Sequence, residues 1–307
     1  MSFLFKITPL IRGITLLSAF CILQLSQAQP IQSSSVEKKL AVLEASSGGI
    51  LGISAINTGN NQRIQFRAHE RFPMGCTSKV IGVAAILKES MTNKELLQEK
   101  ISYKKEELDN WAPITKKHVN KGMTINELAA ASISYSDNTA MNLLAKKLGG
   151  TQGINRFAKS IGDNYFKLDH LWPDEALASP NSSEDSTTPA AMEKSLRKLA
   201  FGDILAAPQR EKLLSWMKAN VTGDARIRAG VPKGWPVGDK TGSGFHYGTT
   251  NDIAIIWPPK CAPLIVAIYY SNNKKDAAKR EDILASATGI LLDEFAQKDQ
   301  CLKLKFS

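Results

Sequence analysis

FPMGCTSKV, Phe72–Val80, marks the point where the chain changes character. Upstream, the strand-like runs ILGISAIN (50–57) and RIQFRAH (63–69) flank the turn-rich TGNNQ (58–62). Downstream, from about Pro73 to Ala219, apolar residues recur at helical spacing, interrupted only by the Pro- and Ser-rich LWPDEALASPNSSEDSTTP (171–189). Strand texture then returns in WPVGDKTGSG (235–244), TTNDIAIIW (249–257) and PLIVAIYY (263–270), and a last helix is predicted over about Arg280–Gln297. A capping-box pattern at Ser34 and Glu37 predicts an N-terminal helix with Val36, Leu40 and Leu43 on one face. Strands at both ends of the chain imply one antiparallel sheet built from the two termini and covered by terminal helices, an α/β (α+β) arrangement. The helical middle is then an inserted all-α domain, with a cleft between the two suited to a small molecule. The expected boundaries are 29–74 with 219–307 for the α/β domain and 75–218 for the all-α domain.

Within FPMGCTSKV, Cys76 stands three residues ahead of Lys79, so thiol and amine share a helix face. A cation and a helix N-terminus both favour thiolate, which makes Cys76 a candidate nucleophile. Taken alone the pattern is weak, because a small residue three before a lysine is common. The same holds for Ser136-Asp137-Asn138 in SISYSDNTAMNLLAKKL (132–148), where Ser and Asp also fit an ordinary helix N-cap. It holds again for Lys240-Thr241-Gly242 on a strand, whose glycine would let another backbone, here a ligand alongside, come close.

The remaining composition narrows the class. At 307 residues and 43% hydrophobic, the chain can build one or two cores and is far from a disordered composition. Lys6 and Arg12, the apolar run Ile14–Leu25 and the small-x-small site Ser26-Gln27-Ala28 predict a cleaved export signal over 1–28. That run is about 12 residues, against roughly 20 needed to span a bilayer. No other segment is long and apolar enough, so a periplasmic or secreted protein without a membrane span is expected. Loss of Lys6 and Arg12 lowers the formal charge from +10 to +8. The lysines are scattered, with no basic stripe interleaved with aromatics to suggest nucleic acid. His69, His118, His170 and His246 lie too far apart for metal-ligand spacing, which argues against a zinc hydrolase; no metal or other cofactor is expected. Cys76, Cys261 and Cys301 remain after cleavage, and an odd count in an oxidising compartment leaves one thiol unpaired. Cys261 opens the run PLIVAIYY and Cys301 follows the last helix. If that helix returns antiparallel over the strand, Cys261–Cys301 is the disulfide and Cys76 the free thiol.

Taken together the three motifs are far more specific than singly. S-x-x-K, S-D-N and K-T-G in this order are the signature of class A β-lactamases and penicillin-binding proteins. The mature chain resembles the class A β-lactamases throughout. The resemblance is carried by Phe72-Pro73-Met74, Tyr135-Ser136-Asp137-Asn138-Thr139-Ala140-Met141-Asn142, Thr187-Thr188-Pro189-Ala190-Ala191-Met192 and Asp239-Lys240-Thr241-Gly242-Ser243-Gly244. It implies a five-stranded antiparallel sheet flanked by helices beside an all-α domain, and a monomer acting on a small-molecule β-lactam. It further implies Ser136 as a proton relay and Asn138 as a holder of a substrate carbonyl. Trp111 falls at the cleft mouth, Lys240, Thr241 and Ser243 against the antibiotic's carboxylate, and Arg226 of DARIRAG behind them. The backbone N–H groups of Cys76 and Ser243 would form the oxyanion hole. The turn Phe245-His246-Tyr247 resembles the longer form of some carbapenem-hydrolysing members.

Two departures bear on turnover. Cys76 stands where the family has its serine, so the acyl-enzyme would be a thioester. In place of the family's Arg-Trp-Glu-Pro-Glu-Leu-Asn loop the chain has His170-Leu171-Trp172-Pro173-Asp174-Glu175-Ala176. Ungapped, this puts Trp172 at the deacylating glutamate and Ala176 at the asparagine, and His170 at the arginine that pairs with Asp185. Asp174 or Glu175 is a deacylation substitute only if the loop brings it inward; otherwise both are solvated charges. Three readings follow: a β-lactamase opening the ring through a covalent acyl-enzyme at Cys76 with impaired deacylation, a non-hydrolytic β-lactam or cell-wall-fragment binder that stays acylated, and another acyl-transfer enzyme such as a D-Ala-D-Ala peptidase. The lifetime of the adduct separates the first two, and turnover of a D-Ala-D-Ala peptide would mark the third.

Overall fold

The sheet is assembled from the two ends of the chain because its two longest apolar strands pair with each other across more than 200 residues of intervening sequence. The computed structural model describes residues 1–6, 35–180 and 182–306. Most of the expected export signal and Ser34 of the capping box lie outside the described residues. Strands β1 (Ile50–Asn57), β2 (Arg63–Phe66), β3 (Val237–Ser243), β4 (Thr250–Ile256) and β5 (Leu264–Ser271) form one five-stranded sheet in the order β2-β1-β5-β4-β3. Every pairing is antiparallel. β2 is shorter than RIQFRAH suggests, since Arg67 adopts a positive φ and turns the chain out of the strand.

Alternation along the strands divides the core in two. Ile253, Ile255, Ile265, Ala267 and Tyr269 face the helical middle of the chain. Ala254, Ile256, Val266, Ile268 and Tyr270 face the helices α1 (Ser35–Ser47) and α8 (Glu281–Lys298), through residues such as Leu40, Leu284 and Phe295. Both faces of the sheet are thus covered, which is why its central strands read as nearly unbroken apolar runs. α9 (Gln300–Phe306) follows α8 after one residue and carries Cys301, which is disulfide-bonded to Cys261.

Between β2 and β3 run α2 (Lys79–Glu89), α3 (Ile125–Ser134), α4 (Asn138–Lys147), α5 (Thr151–Ser160), α6 (Pro189–Phe201) and α7 (Ala207–Lys218). α2 is buried along its whole length from Lys79 to Leu87, and this all-round apolar sequence places it at the centre of the helical layer. Thr124 and Glu127 cap α3 reciprocally, while Asp137 caps α4 by accepting from the Ala140 N–H. α6 packs against β1 and β5. Among the described residues no helix is long and apolar enough to cross a membrane.

Candidate active site

The polypeptide reaches Cys76 under tight control from both sides. Phe72–Pro73 pairs antiparallel with Ser186–Thr187, and the Met74 N–H donates to the Asp185 carbonyl at 2.8 Å. From β4, the Asn251 side-chain amide donates to the carbonyls of Pro73 (2.8 Å) and Met74 (3.0 Å). The chain then makes a 3-10 turn, Gly75–Ser78, directly before α2. Gly75 has φ +49°, and a Cβ there would lie 2.9 Å from the Ser243 nitrogen, so only glycine allows the turn to sit this close to β3. Gly242 makes the complementary allowance. Its absent Cβ would be 2.4 Å from the Met74 carbonyl oxygen, so the close approach expected of a ligand is instead filled by the protein's own backbone.

The Lys79 side chain is fully buried and reaches Ser136 and Asn138, which line the cleft. Its ammonium donates to Asn138 Oδ1 (2.6 Å) and the Ser136 carbonyl (2.7 Å), with Ser136 Oγ at 3.5 Å. Ser136 has φ +57°, a conformation that presents its hydroxyl to the cleft ahead of α4. Lys240 of β3, also buried, donates to the same hydroxyl at 3.0 Å and to the Thr241 carbonyl at 3.0 Å. Ser136 Oγ therefore lies between two ammonium groups, an arrangement able to pass a proton. Asn138 commits one of its two amide hydrogens to Asp109 Oδ1 at 2.8 Å, which fixes the orientation of its side chain. Arg226 lies behind β3, donating to the carbonyls of Gly242 and Asn251 and to Ser243 Oγ, each at 2.8 Å. Thr241 shares a 2.6 Å hydroxyl contact with Thr222. Trp111 stands at the mouth, 55% exposed, with its ring N–H on the Tyr135 carbonyl. Phe245 is 63% exposed on the opposite lip.

The cleft these residues line has a volume of about 260 Å³. Its walls bring together Cys76, Trp111, Ser136, Asn138, Arg226, Thr241 and Ser243, with Glu175, Ala176, Thr222 and Lys279. Burial pushes the Cys76 thiol up, but the charges of Lys79 and then Lys240, with hydrogen bonds from Ser136 and Lys79, outweigh it and leave the thiol lowered to about 7. Burial lowers Lys240 to about 8, against a raising effect from the Cys76 charge.

The loop before Asp185 divides the two candidate carboxylates. Asp174 is exposed and lines a separate cavity with His170 and Asp185, so it does not reach the site. Glu175 does. The 3-10 turn Asp174–Leu177 rotates its side chain inward, where it is 0% exposed with Oε1 3.6 Å from Cys76 Sγ. Its second oxygen, Oε2, is buried with no hydrogen-bond partner among the described residues. Burial, then the Cys76 charge, hold the carboxyl well above the usual carboxylate range despite Lys79. Trp172 is buried as well, with the Lys79 ammonium 5.6 Å from its ring centroid. Asn142 holds the Trp172 backbone, accepting from its N–H (3.2 Å) and donating to its carbonyl (2.6 Å). His170 Nδ1 lies 2.7 Å from Asp185 Oδ2, so the pairing that the resemblance assigns to an arginine is made here by a histidine. Asn142, Thr222 and Lys279 carry no role in the sequence reading. Asn142 lies one helical turn after Asn138 on α4, a spacing that points it to the same side of the helix.

A family model described as the beta-lactamase enzyme family matches residues 35–295. A beta-lactamase of Citrobacter koseri is 51% identical over 268 residues, covering 87% of this chain and 90% of the relative. Beta-lactamase Toho-1 of Escherichia coli is 48% identical over 282 residues, covering 92% and 97%. The crystal structure of a beta-lactamase from Desulfarculus baarsii superposes with a TM-score of 0.83 at 44% identity, covering 85% of this chain and 97% of that one.

Proposed function

This chain belongs to the beta-lactamase enzyme family, and from that premise we propose that it opens β-lactam rings by acyl transfer to Cys76. The observation that carries the reading is a partly exposed thiol and a serine hydroxyl lining one cleft, with two buried ammonium groups on that hydroxyl. The thiolate attacks the lactam carbonyl carbon. Charge on the carbonyl oxygen falls to the backbone N–H groups of Cys76 and Ser243, and such donors are each worth about 10²–10³ in rate. As the C–N bond breaks, the nitrogen takes a proton from Ser136 Oγ, which Lys79 or Lys240 replaces. Lys240, Thr241 and Ser243 bind the substrate carboxylate with Arg226 behind them, Asn138 holds the side-chain carbonyl, and Trp111 covers the ring. The product is a thioester at Cys76. We read the molecule as an exported monomer, with its signal over 1–28, in which residues 75–218 insert into the α/β layer formed by 29–74 and 219–307.

A second reading is favoured by Trp172 and Ala176. An indole in place of a carboxylate offers no base, and losing a general base costs about 10²–10⁴ in rate. On that reading the chain stays acylated and acts as a β-lactam or cell-wall-fragment binder. Intact-mass spectrometry during incubation with a penicillin, with lactam absorbance followed in parallel, separates the two. A transient adduct on Cys76 with continuing loss of absorbance is the outcome expected of the hydrolase. A permanent adduct with loss equal to one lactam per protein marks the binder. Absence of any adduct or hydrolysis refutes both.

A further inference from the structure

The family's deacylating position is occupied by an indole, yet a carboxyl side chain still touches the sulfur. This inference rests on the proposed acylation of Cys76. We infer that Cys76 and Glu175 form one proton-exchanging pair: Glu175 holds the proton while Cys76 is free, and gives it up on acylation to become the base that activates water against the thioester.

Geometry supports the pairing first. Glu175 Oε1 lies 3.6 Å from Cys76 Sγ, and Glu175 is wholly buried. Its Oε2 is buried and has no hydrogen-bond partner among the described residues. Such a group normally finds a partner, and under this proposal a water admitted as the site is acylated supplies it. Next to it Ala176 presents only a methyl group to the cleft wall. The turn is anchored there, since the Phe245 N–H following β3 donates to the Ala176 carbonyl at 3.0 Å.

Electrostatics then assign the proton. Two anions this close in a buried site do not both ionise. The charged groups facing the pair are Lys79 from α2 and Lys240 from β3, with Arg226 and Lys279 farther along the cleft wall. Both near lysines favour charge on the sulfur, while burial and the adjacent sulfur charge disfavour it on Glu175. Acylation converts the thiolate to a neutral thioester and removes the sulfur charge, leaving burial as the main influence holding the proton on Glu175. Lys79, which favours the carboxylate, remains.

The cycle balances. In acylation the C–S bond forms, the C–N bond breaks and the nitrogen gains one proton from Ser136; Lys79 restores the hydroxyl and Glu175 restores the ammonium, so none need be drawn from solvent. In deacylation Glu175 takes a proton from water, hydroxide adds to the thioester carbonyl, and the C–S bond breaks. That leaves Cys76 as thiolate and Glu175 protonated, the state in which the cycle began. One proton reaches solvent when the new carboxylic acid ionises.

The test uses the mature protein, Glu175→Gln and Glu175→Asp, with a penicillin, above pH 7. Adduct mass is followed against time, and a pH indicator counts protons in the first turnover. We expect Glu175→Gln to acylate but to clear its adduct about 10²–10⁴ slower. It should also take up one more proton per site during acylation than the parent, because the amide has none to give. Glu175→Asp, with a retracted carboxyl, should fall between. Adduct formation in each variant shows that its site is built. Equal clearance and equal proton counts in Glu175→Gln and parent would overturn the pair while leaving acylation at Cys76 standing. A parent adduct that never clears would overturn the base role alone, and a parent that forms no adduct would overturn the proposed function itself.

Discussion

Replacing Gly242 by alanine tests the contact on which the candidate oxyanion hole depends. The added Cβ would lie 2.4 Å from the Met74 carbonyl oxygen, 3.2 Å from Thr77 N and 3.1 Å from Thr77 Cγ2. The first distance is about 1 Å short of van der Waals contact. The oxygen has little freedom to retreat, since it accepts from Asn251 Nδ2 at 3.0 Å and Thr77 Oγ1 at 2.8 Å. The 75–78 turn must therefore separate from β3, taking the Cys76 N–H away from that of Ser243. Overpacking of this kind costs about 1–3 kcal/mol. At roughly 2–4 °C per kcal/mol for a chain of this size, the melting temperature should fall by a few degrees to about 10 °C. A misplacement of about 1 Å costs on the order of 10² in rate, so acylation followed by mass should slow by that factor. Gly289 in α8 serves as the control, because a Cβ there would meet nothing within 4 Å. Gly289→Ala should gain about 0.5–1 kcal/mol and leave acylation untouched. A Gly242→Ala protein with the parent's melting temperature and acylation rate would refute the close contact.

The other expectations concern protons and crosslinks. Glu175→Gln should raise the melting temperature at neutral pH: an acid whose folded pKa lies above its unfolded value binds more protons in the folded state, so stability falls as pH climbs above the ordinary carboxylate range. The gain should vanish once the pH drops below that range, and a gain that persists there would assign it to something other than ionisation. Acylation of the parent should accelerate with pH through about 7, where the Cys76 thiolate forms, and then level; a flat profile would remove the thiolate as nucleophile. The Asp185 hydrogen bond raises His170, so this brace contributes fully below the unfolded histidine pKa and weakens as pH rises through the folded one. Proteolytic nicking of residues 170–185 should thus increase with pH across that interval, and His170→Arg should flatten the response. Reducing Cys261–Cys301, which closes a separation of 40 residues, should cost about 2–4 kcal/mol in a denaturant titration.

Much of the fold is legible because its signals are periodic. Alternation in β4 and β5 sends Ile253 and Ala254 to different cores, and the all-apolar face of α2 places that helix at the centre. What escapes is set by neighbours remote in sequence. Gly242 looks like room for a ligand until β4 and the 75–78 turn close on it. Residues 170–176 have no period, and one step along a 3-10 turn rotates a side chain by about 120°. Asp174 consequently faces solvent while Glu175 faces the sulfur, a distinction that counting positions in a loop does not make. Residue type alone does not say whether His170 can pair with Asp185, because that depends on reach; the ring does reach it.

The two departures expected from the sequence are connected chemically under the proposed function. A serine hydroxyl needs a base before it attacks, so a carboxyl group serving it must be ionised in the resting site, and an indole in that position removes it. A thiol beside Lys79 and Lys240 ionises without such help. Its partner carboxyl is then required only after acylation, and before that its best state is protonated. A protonated carboxyl can be buried against the nucleophile, as Glu175 is, where a carboxylate would repel the thiolate. Under the proposed cycle, cysteine at position 76 is what makes a carboxyl at position 175 workable. Restoring serine alone also removes the sulfur charge that helps hold the Glu175 proton, so the hydroxyl must draw on a carboxyl still raised by burial, where the thiol needed no base. Cys76→Ser should acylate more slowly than the parent by a factor on the order of 10²–10⁴, and an equal or faster rate would show that the two positions act independently.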